Sequence, residues 1–451
     1  MKIDALVAEI GSTTTILNAF TNLNSNPIFL GQGISPTTEE DISIGFVNAQ
    51  KDLEQKLGFP IEAKDSFASS SAAGGLKMSV HGLVYEMTVK AAKEAALGAG
   101  ANLHLITAGK LSAADLEKIK KLNLNIIMIA GGVDYGEAET ALQNSEAIAS
   151  SKLNIPVIYA GNIVNQDKVR QVFEKYNQKD YLFITANVYP KIDRLEVGEA
   201  REVIQAVFEK HITTAPGMEK IRPLIKGNIL PTPGAVMKAA LLLQKTLGDL
   251  VVADIGGATS DVFSVASDTE EINRILFAPE PFAKRTVEGD LGVFINRENL
   301  IKLIGEVEIK KILDLSDTEY QEILKNYQKI PDKKQLPLTE LLAESALKIA
   351  LKRHAGKIIP LYGGGGKKAA EGKDLTGIKY LIGTGGALTR LPNRRSIIEK
   401  AIEKNDPLLL LPGGETKVLL DNHYIMAAAG VLSVKYPEAA VKLIMNSLEA
   451  I

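Results

Sequence analysis

The stretch that most constrains this chain is VVADIGGATSDVFSV, residues Val251–Val265. A short apolar run delivers one carboxylate, Asp254, to a loop with almost no side-chain bulk, Gly256-Gly257-Ala258. A hydroxyl, Thr259, and a second acid, Asp261, then lead into another apolar run, Val262–Val265. The pattern predicts a strand, a tight turn and a second strand. Glycines in such a turn let backbone N–H groups close in on an anion. An acid beside bound phosphate repels it unless a cation lies between them, so Asp254 points to Mg²⁺ held by oxygen ligands. One such loop is an ordinary hairpin; its recurrence gives it weight. The N-terminus repeats it: Ala5–Ile10 reads as a strand carrying Glu9, Gly11-Ser12-Thr13-Thr14-Thr15 as a small hydroxyl-rich turn, and Ile16–Phe20 as the returning strand.

The 451 residues suffice for two or three domains with substantial cores. Charged residues make up 24% and the formal net charge is -2, which gives no electrostatic case for nucleic acid or an anionic membrane. The chain has no cysteine, which excludes disulfides, thiolate zinc sites, iron–sulfur clusters and cysteine nucleophiles. Asp4 and Glu9 interrupt the apolar N-terminal stretch, unlike a signal peptide, and no run reaches the roughly 18 apolar residues of a spanning helix. A cytoplasmic protein is expected.

After a third strand at Ile28–Leu30, a helix is expected from Thr38, with Glu40 and Asp41 in its first turn and Gly58 and Pro60 at its end. From Ser66 to Pro190 the texture changes to short apolar runs alternating with helical patterns. That is βα alternation and predicts a parallel sheet with its own core. Two of its strands end in Gly131-Gly132-Val133-Asp134 and Gly161-Asn162, which ordinary turn chemistry explains at least as well as a ligand site. A helix over Glu196–Lys210, a Pro/Gly-punctuated stretch and an alanine-rich helix over Ala235–Lys245 lead to the opening motif. Beyond it, Val287–Gly292 is an acid-bearing turn without an obvious partner, and helices are expected near Glu298–Leu313 and Thr339–His354. Gly363–Gly366 with Lys367 lacks the spacing of a phosphate-binding P-loop and reads as a connector. In Tyr380–Pro392, a strand runs into Gly383-Thr384-Gly385-Gly386 and a short helix follows, an arrangement that allows close backbone approach to a nucleotide.

Three Gly-rich loops thus occur in order, each after a strand. Together they resemble the fold shared by actin, sugar kinases and the seventy-kilodalton heat-shock ATPases. That resemblance implies an α/β protein of two ribonuclease-H-like domains clamping ATP, with an inserted βα domain. It places Gly11, Ser12, Thr13 and Thr14 with Glu9 in a first phosphate hairpin. Gly256, Gly257, Ala258 and Thr259 with Asp254 form the second, and Gly383, Thr384, Gly385 and Gly386 the adenosine loop. Glu9 and Asp254 become the catalytic and Mg²⁺-holding acids. Two positions depart from the common pattern. The first acid is Glu9 rather than aspartate, and Ile16 stands where many members carry a lysine, so slow turnover is implied. The expected division is 1–65 and 191–245 for the N-terminal ATPase-like domain, 66–190 for the insertion, a candidate partner-binding module, and 246–451 for the C-terminal ATPase-like domain.

A closer resemblance spans nearly the whole chain. Ser69–Met78, Gly82-Leu83-Val84, Ala95–Ala101, Arg285–Gly292, Arg353-His354-Ala355-Gly356 and Asp374–Gly377 are similar to the glutamate mutase L family. That family implies an accessory protein that uses ATP and Mg²⁺ to reactivate an adenosylcobalamin-dependent mutase. The alternatives are a small-molecule kinase, for which Asp261 or Asp134 would have to serve as base, and a nucleotide-binding scaffold without turnover. His81, His104, His211, His354 and His423 show no metal-ligand spacing, and Lys348 and Arg353 read as surface cations.

Overall fold

The computed structural model describes residues 2–38, 40–72, 75–211, 216–361, 368–403 and 406–450. The glycine run Gly363–Gly366 with Lys367, and Ala73-Gly74 of the family-like motif, lie outside the described residues.

The chain begins with an antiparallel meander, β1 (Lys2–Ile10), β2 (Thr14–Thr21) and β3 (Ile28–Pro36), followed by the helix Ile42–Leu57. Asp41 stands just ahead of that helix as its N-cap and accepts from Ser43 N at 3.0 Å, so the helix starts later than the acids suggested. The following strand, β4 (Glu62–Ser70), lies parallel to β1, with Ser66 beside Leu6 and Ser70 beside Ile10. Ser66–Ser70 thus continue the strand that pairs with the first sheet. The serine- and alanine-rich second half of β4 has weak strand propensity, and its pairing with β1 decides its state.

The insertion follows as a five-stranded sheet, β5 (Leu76–Gly82), β6 (Ala101–Ala108), β7 (Ile126–Ile129), β8 (Val157–Tyr159) and β9 (Leu182–Ile184). Its order is β6-β5-β7-β8-β9 and every pair is parallel, as the βα alternation requires. The helix after β5 begins with a π-helical turn, Tyr85–Val89, before the regular helix Lys90–Ala99. The chain returns through the helix Gly198–His211 to β10 (Ile229–Pro231), which pairs in parallel with β4 and completes the order β10-β4-β1-β2-β3.

The second half repeats this plan. β11 (Leu250–Ile255), β12 (Ser260–Val265) and β13 (Ala283–Glu288) form the meander. After a small hairpin, β14 (Lys357–Pro360) with β15 (Lys368–Glu371), β16 (Tyr380–Thr384) joins β11 in parallel and β17 (Lys417–Asp421) joins β16. A short antiparallel strand, β18 (Leu448–Ala450), closes the edge. Three antiparallel strands followed by two parallel ones, twice in one chain, is the two-domain ribonuclease-H-like architecture. The single helix expected over Glu298–Leu313 is two, Arg297–Ile304 and Glu306–Leu313, because Gly305 adopts φ +93° between them.

Corresponding helices of the two halves meet between the sheets. Thr232–Leu247, after β10, crosses Met426–Leu432, after β17. A Cβ on Gly430 would lie 1.9 Å from the Ala235 carbonyl oxygen, so the crossing admits no side chain there. One buried cluster contains Val7 and Phe67 of the first sheet, Ala239 and Leu243, Val252 and Ile382 of the second, and Ala428. The two halves therefore share a core. Gly430→Val is expected to cost about 1–3 kcal/mol or more by overpacking this crossing. A reduced midpoint in urea unfolding is the readout, and an unchanged midpoint would contradict the shared core.

Candidate functional site

The two hairpins are built alike. Gly11 N donates to Thr14 O at 2.9 Å, and Gly256 N donates to Thr259 O at 2.9 Å. In each hairpin the acid stands two residues before the first glycine, at the last-but-one position of its strand, β1 for Glu9 and β11 for Asp254. The loops face each other: a Cβ on Gly257 would lie 3.0 Å from Thr13 Cγ2. The carbonyls of the second turn are spent elsewhere. Gly256 O accepts from Val293 N, Gly257 O from Phe294 N and Ile295 N, and Ala258 O from Asn296 Nδ2 at 2.7 Å. The N–H groups of Ser12, Thr13, Gly257 and Ala258 have no acceptor among the described residues. Backbone donors held open by their own carbonyls suit an anion.

The third loop is held against Asp254. Gly385 has φ +85°, and a Cβ there would lie 2.3 Å from Asp254 Oδ1. Its neighbours have different jobs. Gly383 is a strand residue beneath Ile398 and Leu420, and the buried Thr384 donates to Asp421 Oδ2 at 3.0 Å. Gly386 opens the short helix Gly386–Arg390, with free space where a Cβ would stand. Ser12 Oγ donates to Ser71 O at 3.2 Å, and Thr259 Oγ1 to Asp261 Oδ2 at 3.0 Å. The structure thus brings Glu9, Asp254, both turns and Gly385 together, while Gly383 and Thr384 shape the loop from beneath.

Three more residues belong to the site. Tyr424 Oη donates to Glu9 Oε1 at 3.0 Å across the two halves. The Arg390 guanidinium lies 5.7 Å from the Tyr424 ring centre and donates to Gln32 Oε1 at 2.8 Å. Asp421 is fully buried and accepts from Thr384, Ser447 and the N–H groups of Ile425 and Met426, fixing the loop that carries Tyr424. Tyr424 and Asp421 lie outside the glycine motifs, whereas Arg390 belongs to the Tyr380–Pro392 stretch.

The electrostatics ask for a cation. Glu9 is 5% exposed, its Oε2 has no hydrogen-bond partner, and apolar Ile16 stands directly opposite across the ladder. Burial raises its pKa from 4.5 to about 7; the Tyr424 hydrogen bond opposes this and the Asp421 charge adds to it. Asp254 is pushed well above the usual carboxylate range by burial and by the charges of Asp261, Glu9 and Asp421. Two unpaired acids of this kind, one with an orphaned oxygen, fit a divalent cation that keeps most of its waters. Among the described residues no three His, Asp or Glu side chains converge as a protein cage for a metal. Glu9 and Asp254 would hold such an ion, which when bound neutralises phosphate charge.

The remaining acids are engaged. Asp261 Oδ1 accepts from Arg285 Nε at 2.9 Å and from Nη2 at 2.6 Å. Arg285 is 1% exposed, and its Nη1 donates to Leu97 O and Ala101 O of the insertion at 3.1 and 2.9 Å. Asp134 Oδ1 accepts from Ile163 N and Asn187 Nδ2, tying two loops of the insertion. The acids of Val287–Gly292 do have a partner, because Arg353 Nη1 binds Glu288 at 2.6 Å and Asp290 at 2.8 Å. His81 lies between Ser79 and Thr107, and His354 between Thr286 and Ser264; burial holds both below the ordinary histidine pKa.

Two outcomes are expected. A carboxyl with a raised native pKa favours folding while protonated, so cation-free protein should lose stability as pH rises from about 4.5 to 7. The Glu9 share is about 3 kcal/mol. In EDTA, Glu9→Gln should flatten that slope in urea titrations at stepped pH, and an identical slope would contradict the burial argument. Arg285→Met alone should cost about 3–5 kcal/mol by stranding Asp261, whereas adding Asp261→Leu should recover part of that loss. A double-mutant cycle measures both.

The family model described as MutL protein matches residues 5–448 of this chain. Protein MutL of Clostridium tetanomorphum is 36% identical over 459 residues, covering 98% of each chain. Solved structures similar to it at a distance include acetone carboxylase, with TM-score 0.43 and 12% identity over 96% of this chain and 70% of that one. Glycerol dehydratase reactivase has TM-score 0.37 and 11% identity over 96% and 100%. Component A of the (R)-2-hydroxyglutaryl-CoA dehydratase of Acidaminococcus fermentans has TM-score 0.32 and 8% identity over 97% and 99%. Likenesses this remote carry no argument about function. With its family-like motifs, its twice-built sheet and a match from end to end, the chain belongs to the MutL protein family.

Proposed function

We propose that this chain is an ATP- and Mg²⁺-binding accessory protein that reactivates an adenosylcobalamin-dependent mutase, with slow ATP hydrolysis. The observation that carries the nucleotide part is the pair of facing hairpins, with open N–H groups and two unpaired acids, Glu9 and Asp254, between them. The N–H groups of Ser12, Thr13, Gly257 and Ala258 take phosphate oxygens, and Asp254 orients the attacking water. Gly386, with open space where a Cβ would stand, offers the bare backbone that a nucleoside can approach, while Gly385 seats that loop against Asp254. Glu9, already bonded to Tyr424, is the less suitable positioning acid, which accords with slow turnover.

The mutase part rests on the glutamate mutase L resemblance and on family membership. The parallel five-stranded insertion is not needed by the twice-built ATPase frame, and it is the element proposed to grip the mutase. Because Arg285 joins the second hairpin to that insertion, closure on nucleotide is conveyed to it directly. The kinase alternative loses support, since both acids nominated as its base are engaged in structural bonds.

Asp254→Ala should abolish Mg²⁺-dependent ATP hydrolysis with an unchanged circular dichroism spectrum; an unchanged rate would sink the site assignment. For the role, the protein is incubated with ATP, Mg²⁺ and a cobalamin-inactivated glutamate mutase or aminomutase. Recovered activity and released cobalamin are expected. Failure there, with phosphate transferred to a sugar or acid acceptor, would replace the reactivase by a kinase.

A further inference from the structure

Besides their shared core, the two halves are joined by a set of side chains beside the facing hairpins. Gln32 of β3 stands at its centre. Its Oε1 accepts from Arg390 Nη2 at 2.8 Å, and its Nε2 donates to the His423 carbonyl at 2.6 Å. The His423 ring lies 5.0 Å from that of Phe29, also on β3. The next residue, Tyr424, spans the same gap to Glu9 Oε1. On one side the partners belong to β1 and β3, on the other to the helix Gly386–Arg390 and the loop after β17.

The phenol is presented to Glu9 by its surroundings. Tyr424 has φ +51°, a left-handed backbone that disfavours a bulky side chain and persists only where neighbours enforce it. The Arg390 guanidinium covers its ring at 5.7 Å. Glu9 meanwhile has neither oxygen to spare. Oε1 is bonded to the phenol, and Oε2 is buried without a partner. The carboxylate can therefore take a metal, or a water on a metal, at Oε1 only by giving up Tyr424.

We infer that Tyr424 is a positioning residue that competes with the cation for Glu9, so that a metal–nucleotide displaces the phenol and loosens the clasp of Gln32, Arg390 and His423 with it. This rests on the reading of the cleft as a metal–nucleotide site. Every binding event then has to break a contact between the halves, and the affinity is lowered by that much. A hydrogen bond to a carboxylate is strong enough for the reduction to be about tenfold or more. Occupancy of the cleft is thereby felt in the second half before any phosphate is cleaved.

The probe is Mn²⁺ with ADP, free Mn²⁺ being counted by electron paramagnetic resonance on the full-length protein. Tyr424→Phe should bind it about tenfold more tightly than the wild type. Gln32→Ala, which bonds to neither acid, should tighten binding severalfold by loosening the clasp. In a Glu9→Gln background, Tyr424→Phe should change binding by less than about twofold, because the contested oxygen no longer belongs to a carboxylate. Amide hydrogen exchange supplies a second readout. Mn²⁺ with ADP should speed exchange across residues 422–424 of the wild type and leave the already faster Tyr424→Phe variant unchanged. Thermal melts verify that each variant folds. A merely structural tyrosine would leave binding unchanged or weaken it on removal, and either result in folded Tyr424→Phe overturns the inference. So does an undiminished gain when Glu9 is glutamine, unchanged binding in Gln32→Ala, or exchange at 422–424 that the probe does not alter. If the wild type and all variants fail to bind Mn²⁺ with ADP, the metal–nucleotide reading falls and the inference falls with it.

Discussion

The buried pair of Arg285 and Asp261 is the interaction on which the rest of this architecture hangs. Asp261 lies opposite Asp254 in the second hairpin, and Arg285 lies on the edge strand β13. The remaining guanidinium donor reaches the last turn of one insertion helix and the first residue of β6. A guanidinium is suited to this because its donors are planar, fixed in direction and always charged. Its removal would strand one buried acid and two carbonyls together. Nearby, Arg201 donates to Glu94 O and Ala283 O, a second stitch between the insertion and the same strand. The insertion is therefore tied to the second half at β13 as well as packed on the first half, where Met78, Val80 and Ala92 share a cluster with Ala8 and Leu17.

Much of this fold is legible in the sequence because it is written in periodicities. The two hairpins show strand, acid, glycine and strand at fixed spacing, and the insertion alternates short apolar runs with amphipathic stretches. What escapes has a physical reason in each case. The edge strand β13 reads KRTVE in its centre, charged and polar, because its arginine is buried against an acid rather than solvated. The short strand β10 reads ILP in a stretch punctuated by proline and glycine, and only its parallel partner β4 makes it a strand. β4 itself ends in small residues whose pairing is decided by a strand sixty residues earlier.

The site divides in the same way. Glycine loops are visible because close backbone approach leaves a compositional trace, and Gly385 is glycine because a Cβ there would lie 2.3 Å from Asp254 Oδ1. Residues that complete a site from a distant part of the chain leave no such trace. Tyr424 reaches Glu9, and Arg390 reaches Gln32, only after both halves have folded and met, and a single tyrosine shortly after an Asp-Asn pair cannot announce that. Asp261 is the intermediate case. Its place in the motif marks it as important, yet whether it faces ligand or protein depends on Arg285, 24 residues along the chain.

The contact between Tyr424 and Glu9 has a consequence that reaches beyond the cleft. Whatever claims Glu9 Oε1 must take it from a phenol belonging to the opposite half. That phenol hangs from a loop with φ +51° at Tyr424 itself, clamped at its base by Asp421. The same aspartate sets the start of Met426–Leu432, whose Gly430 touches the backbone of the partner helix with no room to slide inward. A side chain exchanged in the cleft therefore pulls on a lever whose fulcrum is the crossing of two helices at the centre of the molecule. Displacements there should be small, stiff and shared by both halves rather than absorbed by a slack hinge.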